Sequence, residues 1–178
     1  MSVKLVLSFI FIFFVQSAYS ITLVNEIKKT SINITGNVID NSCEVVPKNI
    51  DVNLFNNPLK QLSYKGAVTA NVLFSINLIH CGDSVKAIKV VYKGEEDNID
   101  KNLLAINKVP GSTEGVAIQL LNSNKNQKPI NQLMNNTQWI PLHPGSNVIN
   151  YYARLKATTN KVTYGHVRSQ AIFNIEYL

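Results

Sequence analysis

The sequence predicts an all-β domain, a sandwich or barrel of short strands, and three observations predict it. Apolar residues recur at every second position through many short runs, turn-forming Gly, Pro and Asn separate those runs, and no stretch shows amphipathic-helix spacing. A strand with one apolar face needs an opposing layer, and two packed sheets supply it.

The chain opens on "MSVK", "LVLSFIFIFFV" and "QSAYS": a positive start, an apolar run and a polar end with small residues Ala18 and Ser20. That order is the pattern of a secretory signal peptide, with cleavage expected after Ser20. The apolar run is shorter than the roughly twenty residues of a membrane span. Residues 21–178 then form the mature chain, enough for one domain.

In "TSINITGNVIDNSC" (residues 30–43), Ile32, Ile34, Gly36 and Val38 alternate with Asn33, Thr35 and Asn37. This reads as a strand whose apolar face is interrupted by a glycine. Gly36 removes a side chain, which suits either a close approach by another backbone or a bulge in the chain's own first strand. Residues 21–30, of mixed and partly charged composition, precede it.

Further along, "IDVNLF" (50–55) alternates briefly. "NVLFSINLIHC" puts Val72, Phe74, Ile76 and Leu78 on one face, and "KAIKVVYKG" groups Ile88, Val90 and Tyr92. "GVAIQLLN" aligns Val116, Ile118 and Leu120 before the turn "NSNKNQ". After "PGSN", "VINYYARLKA" sets Ile149, Tyr151, Ala153 and Leu155 in register. The last run, "HVRSQAIFNIEYL", puts Val167, Ala171, Phe173, Ile175 and Tyr177 on one face. Residues 56–67 and 122–139 read as loops, the latter with a short edge strand. The final strand is apolar on its inner face, yet no later segment remains to pair with it.

Cys43 and Cys81 are the two cysteines. An even count in an exported protein suggests one disulfide. Metal ligation is the rival reading, but neither a CxxC motif nor a paired histidine accompanies them.

The formal charge is +6, or +5 without Lys4 of the signal peptide. The lysines are scattered and lack interleaved aromatics, so they read as solvated surface rather than the stripe that binds nucleic acid. His80, His143 and His166 stand far apart, and Ser169 and His166 fall on opposite faces if their segment is a strand. No enzymatic constellation results, and no cofactor is expected. "GEEDNID" (94–100) lacks the ligand spacing of an EF-hand and reads as a solvated loop. Trp139 reads as a core tryptophan.

Taken together, these motifs resemble the subunits of chaperone–usher fimbriae, and specifically the minor adaptor-type pilins of type 1 fimbriae. The resemblance covers the chain from about Ser31. It rests on "GNVIDNSCEV" running into the first cysteine, "INLIHCGDSVKAIKVVYKG" around the second, "GVAIQLLNSNKNQKPI", and "NYYARLKATTNKVTYGHVRSQAIFNIEYL". Gly165, fourteenth from the end, and the penultimate Tyr177 match the family's carboxy-terminal motif.

The resemblance implies an immunoglobulin-like pilin sandwich that lacks its seventh strand and is completed by a donor strand, with Cys43 and Cys81 as its disulfide. Residues 21–40 would be an amino-terminal extension, its donor strand about 31–40 with Ile32, Ile34, Gly36 and Val38 as the donor face. Residues 41–178 would be the pilin domain, with Gly165, Val167, Ala171, Phe173, Ile175 and Tyr177 at the acceptor groove. The implied partners are a periplasmic chaperone, an outer-membrane usher and neighbouring fimbrial subunits, among them a tip adhesin. Donor-strand complementation of this kind is β-augmentation. A major shaft pilin is the alternative. A two-domain carbohydrate-binding adhesin is disfavoured because it would carry an additional lectin domain, for which the mature length leaves no room.

Overall fold

The computed structural model describes residues 42–178. The expected signal peptide, the extension and the donor face Ile32, Ile34, Gly36 and Val38 lie outside the described residues. Among the described residues seven strands form: β1 (Glu44–Val45), β2 (Val72–Cys81), β3 (Ala87–Gly94), β4 (Val116–Asn122), β5 (Ile140–Pro141), β6 (Gly145–Ala157) and β7 (Ala171–Tyr177). Two sheets result, of order β1-β2-β6-β4 and β5-β3-β7, with every pairing antiparallel. The helical segments among the described residues are two 3-10 turns, Leu59–Leu62 and Met134–Asn136. None is long and apolar enough to cross a membrane.

The period-two patterns place their side chains as expected. Ile76 and Leu78 of β2, Ile88, Val90 and Tyr92 of β3, and Tyr151, Ala153 and Leu155 of β6 meet in one buried cluster between the sheets. Phe74, Tyr92 and Tyr151 interlock there, with Tyr92 edge-on to Tyr151 at a centroid distance of 5.4 Å. Burying such side chains supplies the main driving force, at about 1.5–3 kcal/mol each. Cys43 and Cys81 are joined in a disulfide across a sequence separation of 38, which fastens the chain near β1 to the end of β2.

Three expectations are corrected. The 50–55 run forms no strand, although Ile50, Val52 and Leu54 still turn toward the core while Asp51, Asn53 and Phe55 face out. Its side chains alternate without a ladder beside it. Trp139 is not core. It lies on the outer face of β3 with the Lys89 ammonium 4.4 Å from its ring centroid, and its residue remains 37% exposed. The ring and cation attract through the ring's electron-rich face, and Lys89 is buried in return. The 94–100 loop is more than solvated surface, because Asp97 Oδ1 accepts from the N–H groups of Ile99 and Asp100. Asp100 in turn pairs with Lys156 of β6 at 3.1 Å.

Candidate functional site

Sheet pairing leaves the long strand β7 with a neighbour on one side only. β7 pairs with β3 along its whole length, from Ile88 opposite Tyr177 to Gly94 opposite Ala171. It is the edge strand of its sheet, and no described residue continues the ladder on its other side. An unpaired strand edge offers N–H and C=O groups to an incoming backbone.

An open groove runs beside that edge as two contiguous cavities of about 700 and 940 Å³. Two irregular segments wall it, residues 48–57 and 162–170, the second leading into β7. Its floor comes from both sheets: Phe74, Tyr92, Ile118, Leu120, Ala153 and Leu155, with Leu104 from the loop after β3. Ile118, Arg168 and Ser169 line both halves, together with Val52, Asn53 and Leu54. The site is therefore a slot over the hydrophobic core.

The expected acceptor residues distribute along it. Gly165 and Val167 line the smaller half, and Ala171 and Phe173 the larger. Ile175 and Tyr177 do not line the cavities. They continue the same inward row of β7, half-buried against the core, while Ile172, Asn174 and Glu176 face out. Each inward side chain of this row stays half-buried where those of β3 are fully buried.

Gly165 has a steric reason to be glycine. A Cβ there would meet Thr113 N at 2.5 Å and Ser112 C at 2.6 Å. The backbones run this close because His166 N–H donates to the Gly111 carbonyl at 2.8 Å and Thr113 N–H donates to the His166 carbonyl at 3.1 Å. Ser169 Oγ donates to the Ala105 carbonyl at 2.6 Å, so the wall is held to the body again four residues on. His166 itself is exposed.

Electrostatically the floor is neutral. Burial raises the Tyr92 phenol far above its ordinary value and pushes Tyr151 up to about 12. Neither ionises at any physiological pH. No group of His, Cys, Asp and Glu among the described residues is arranged to hold a metal. A slot with an apolar floor, polar and charged rims that include Lys48, Asp51 and Arg168, and a free strand edge can hold an extended peptide whose alternate side chains are apolar.

Sequence reasoning missed the opposite wall and most of the floor. The alternation of Ile50, Val52 and Leu54 was visible, but nothing in it told a groove wall from a paired strand. The run Leu103–Ile106, buried at all four positions, carries no period-two signal, and yet Leu104 forms part of the floor.

The model of the family described as Fimbrial protein matches residues 32–178. The S-fimbrial protein subunit SfaG of Escherichia coli O6:K15:H31 (strain 536 / UPEC) is 38% identical over 148 residues, covering 82% of each chain. The uncharacterized fimbrial-like protein YdeS of Escherichia coli (strain K12) is 34% identical over 149 residues, covering 82% of this chain and 85% of its own. Among solved structures, the P pilus rod subunit PapA superposes with a TM-score of 0.65 at 20% identity, over 76% of this chain and 99% of its own. At that identity the superposition speaks for the fold.

Proposed function

The chain belongs to the fimbrial protein family, a structural subunit of surface fimbriae and not an enzyme, and from that premise we propose that it assembles by donor-strand exchange. Its groove takes an extended segment from another subunit, and its own residues 31–40 are given to the next. Ile32, Ile34, Gly36 and Val38 are the donor face; Gly165, Val167, Ala171, Phe173, Ile175 and Tyr177 serve the acceptor side. A periplasmic chaperone fills the groove first, and an outer-membrane usher is where the exchange takes place. In the fibre the chain is a minor, adaptor-type subunit, a reading supported by the likeness of its stretch from Gly165 to Tyr177.

The observation that carries this proposal is the open edge of β7 beside a slot with an apolar floor. A sandwich that closed on itself would leave no row of half-buried side chains such as Ala171, Phe173, Ile175 and Tyr177 next to unpaired backbone. Three or four apolar donor side chains return less free energy than the ordering of a ten-residue strand costs. Ladder hydrogen bonds along β7 and completion of the acceptor core supply the remainder.

Deleting residues 31–40 tests the donor half. The truncated chain is expected to co-purify with the periplasmic chaperone but to be unable to enter the groove of the next acceptor, and so to be absent from assembled fibres. Normal assembly of the truncated chain would overturn the donor assignment. Counting subunits per fibre by quantitative mass spectrometry separates the adaptor position from the major shaft, the alternative placement.

A further inference from the structure

Two large aromatic rings stand in solvent at the mouth of the groove. Phe55 is 72% exposed and Tyr164 is 90% exposed. Both line the cavity of about 700 Å³, Phe55 from the 48–57 wall and Tyr164 from the 162–170 wall.

Each ring is held out by its backbone. Phe55 has φ 57°, in the left-handed region, where the Cβ of a bulky L-residue crowds its own carbonyl. Two asparagines bracket it. Asn53 Oδ1 accepts from the Phe55 N–H at 2.8 Å, and Asn57 Nδ2 donates to the Leu54 and Phe55 carbonyls at 2.8 and 3.2 Å. Tyr164 is pinned on both sides. The Thr163 carbonyl accepts from the Thr113 hydroxyl at 2.6 Å, and Thr163 Oγ1 accepts from the Glu114 N–H at 2.9 Å. On the other side, Gly165 lies against the backbone of residues 111–113.

A strained φ on an exposed phenylalanine persists only where surrounding bonds over-determine it, and such positions concentrate at ligand clamps. Exposure of both rings is unfavourable in the empty subunit and is relieved when apolar surface covers them. The surface that can do so is fixed by the groove. Both rings line the slot that runs on from the unpaired edge of β7, one from each wall segment, so a strand lying in the slot comes within reach of both.

We infer that Phe55 and Tyr164 are an aromatic clamp that closes over a strand donated by another subunit and slows its release. The inference rests on the strand-exchange reading above. It adds that retention depends on two rings outside the buried floor, and that they act on dissociation more than on capture.

The test uses the full chain and a fluorescein-labelled synthetic peptide of residues 30–41, with release followed by anisotropy after excess unlabelled peptide is added. Phe55→Gly adopts φ 57° without strain, so it removes the ring without endangering the fold. Phe55→Gly and Tyr164→Ala are each expected to release the peptide about tenfold faster, and Tyr164→Phe is expected to match the unaltered chain. Tyr64→Ala, which removes a 64% exposed ring that does not line the groove, is expected to change nothing. Capture by all chains with unaltered release from both ring-removing variants would overturn the clamp and leave strand exchange standing. Failure of the unaltered chain to capture the peptide would overturn the clamp as a holder of this strand, whereas strand exchange with a different subunit is decided separately by the deletion of residues 31–40.

Discussion

The Tyr177 hydroxyl donates a hydrogen bond to the Cys43 carbonyl at 3.2 Å, across a sequence separation of 134. The contact ties the last residue of the open-edged strand β7 to the disulfide that anchors the chain beside β1. One edge of the groove is thereby fastened to the opposite sheet at its far end. Its near end is fastened by Gly165 against residues 111–113.

Tyr177→Phe keeps the ring and removes the hydrogen bond, so a loss of about 1 kcal/mol is expected. Replacing both cysteines by serine is expected to cost more, about 2–5 kcal/mol. Urea unfolding followed by circular dichroism measures both. Equal stability of Tyr177→Phe and the unaltered chain would mean the hydroxyl contact contributes nothing.

Gly165→Ala places a methyl where Thr113 N and Ser112 C already stand. Neither neighbour is a flexible side-chain end, so backbone must move. The expected cost is about 1–3 kcal/mol, with the 162–170 wall displaced. Thermal unfolding reads the loss, and weaker capture of the residue 30–41 peptide reads the displacement. A variant of unchanged Tm and unchanged capture would contradict the packing seen here.

Phe173→Asp and Ile175→Asp put a carboxylate on the inward row of β7. Strand insertion over that row would desolvate the charge, a penalty of several kcal/mol. Both variants are expected to lose capture by the chaperone, scored as yield of the periplasmic complex. Asn174→Asp, on the outward face of the same strand, is expected to retain it. Loss in all three alike would point to misfolding of β7 instead.

Asp100 predicts an acid-sensitive contribution to stability. Burial on its own pushes its carboxyl up, but hydrogen bonds from Lys156 and from the backbone and side chain of Asn102, with the Lys156 charge, outweigh it and hold the pKa below the ordinary value. The stabilisation is therefore present above the unfolded carboxylate value of about 3.9 and is lost as pH falls through the folded value. Asp100→Asn is expected to cost about 0.5 kcal/mol at pH 7 and progressively less as pH falls through the folded value. A deficit that persists undiminished at pH 2 would exclude the ion pair as its source.

Much of the strand inventory was legible because sidedness is local. Phe74, Ile76 and Leu78 on β2, and Phe173, Ile175 and Tyr177 on β7, announce a buried face through their own spacing, whatever lies opposite. The same signal at Ile50, Val52 and Leu54 was correct about which side chains turn inward and uninformative about pairing. Trp139 was misplaced because its ring meets Lys89 on the outer face of a neighbouring strand, which no local spacing records. Leu104 was missed because its segment is buried at every position as it crosses between the sheets.

What the sequence determined by itself was the class of the fold, the faces of its main strands and the cysteines available to bridge it. Only the tertiary structure decided that β7 has one neighbour, that residues 48–57 stand off from it, and that Gly165 is pressed against residues 111–113. Alternation reports the surroundings of each side chain, a property written in adjacent residues. The width of a slot depends on where two backbones far apart in sequence come to rest, and that is set by the packing of the whole core.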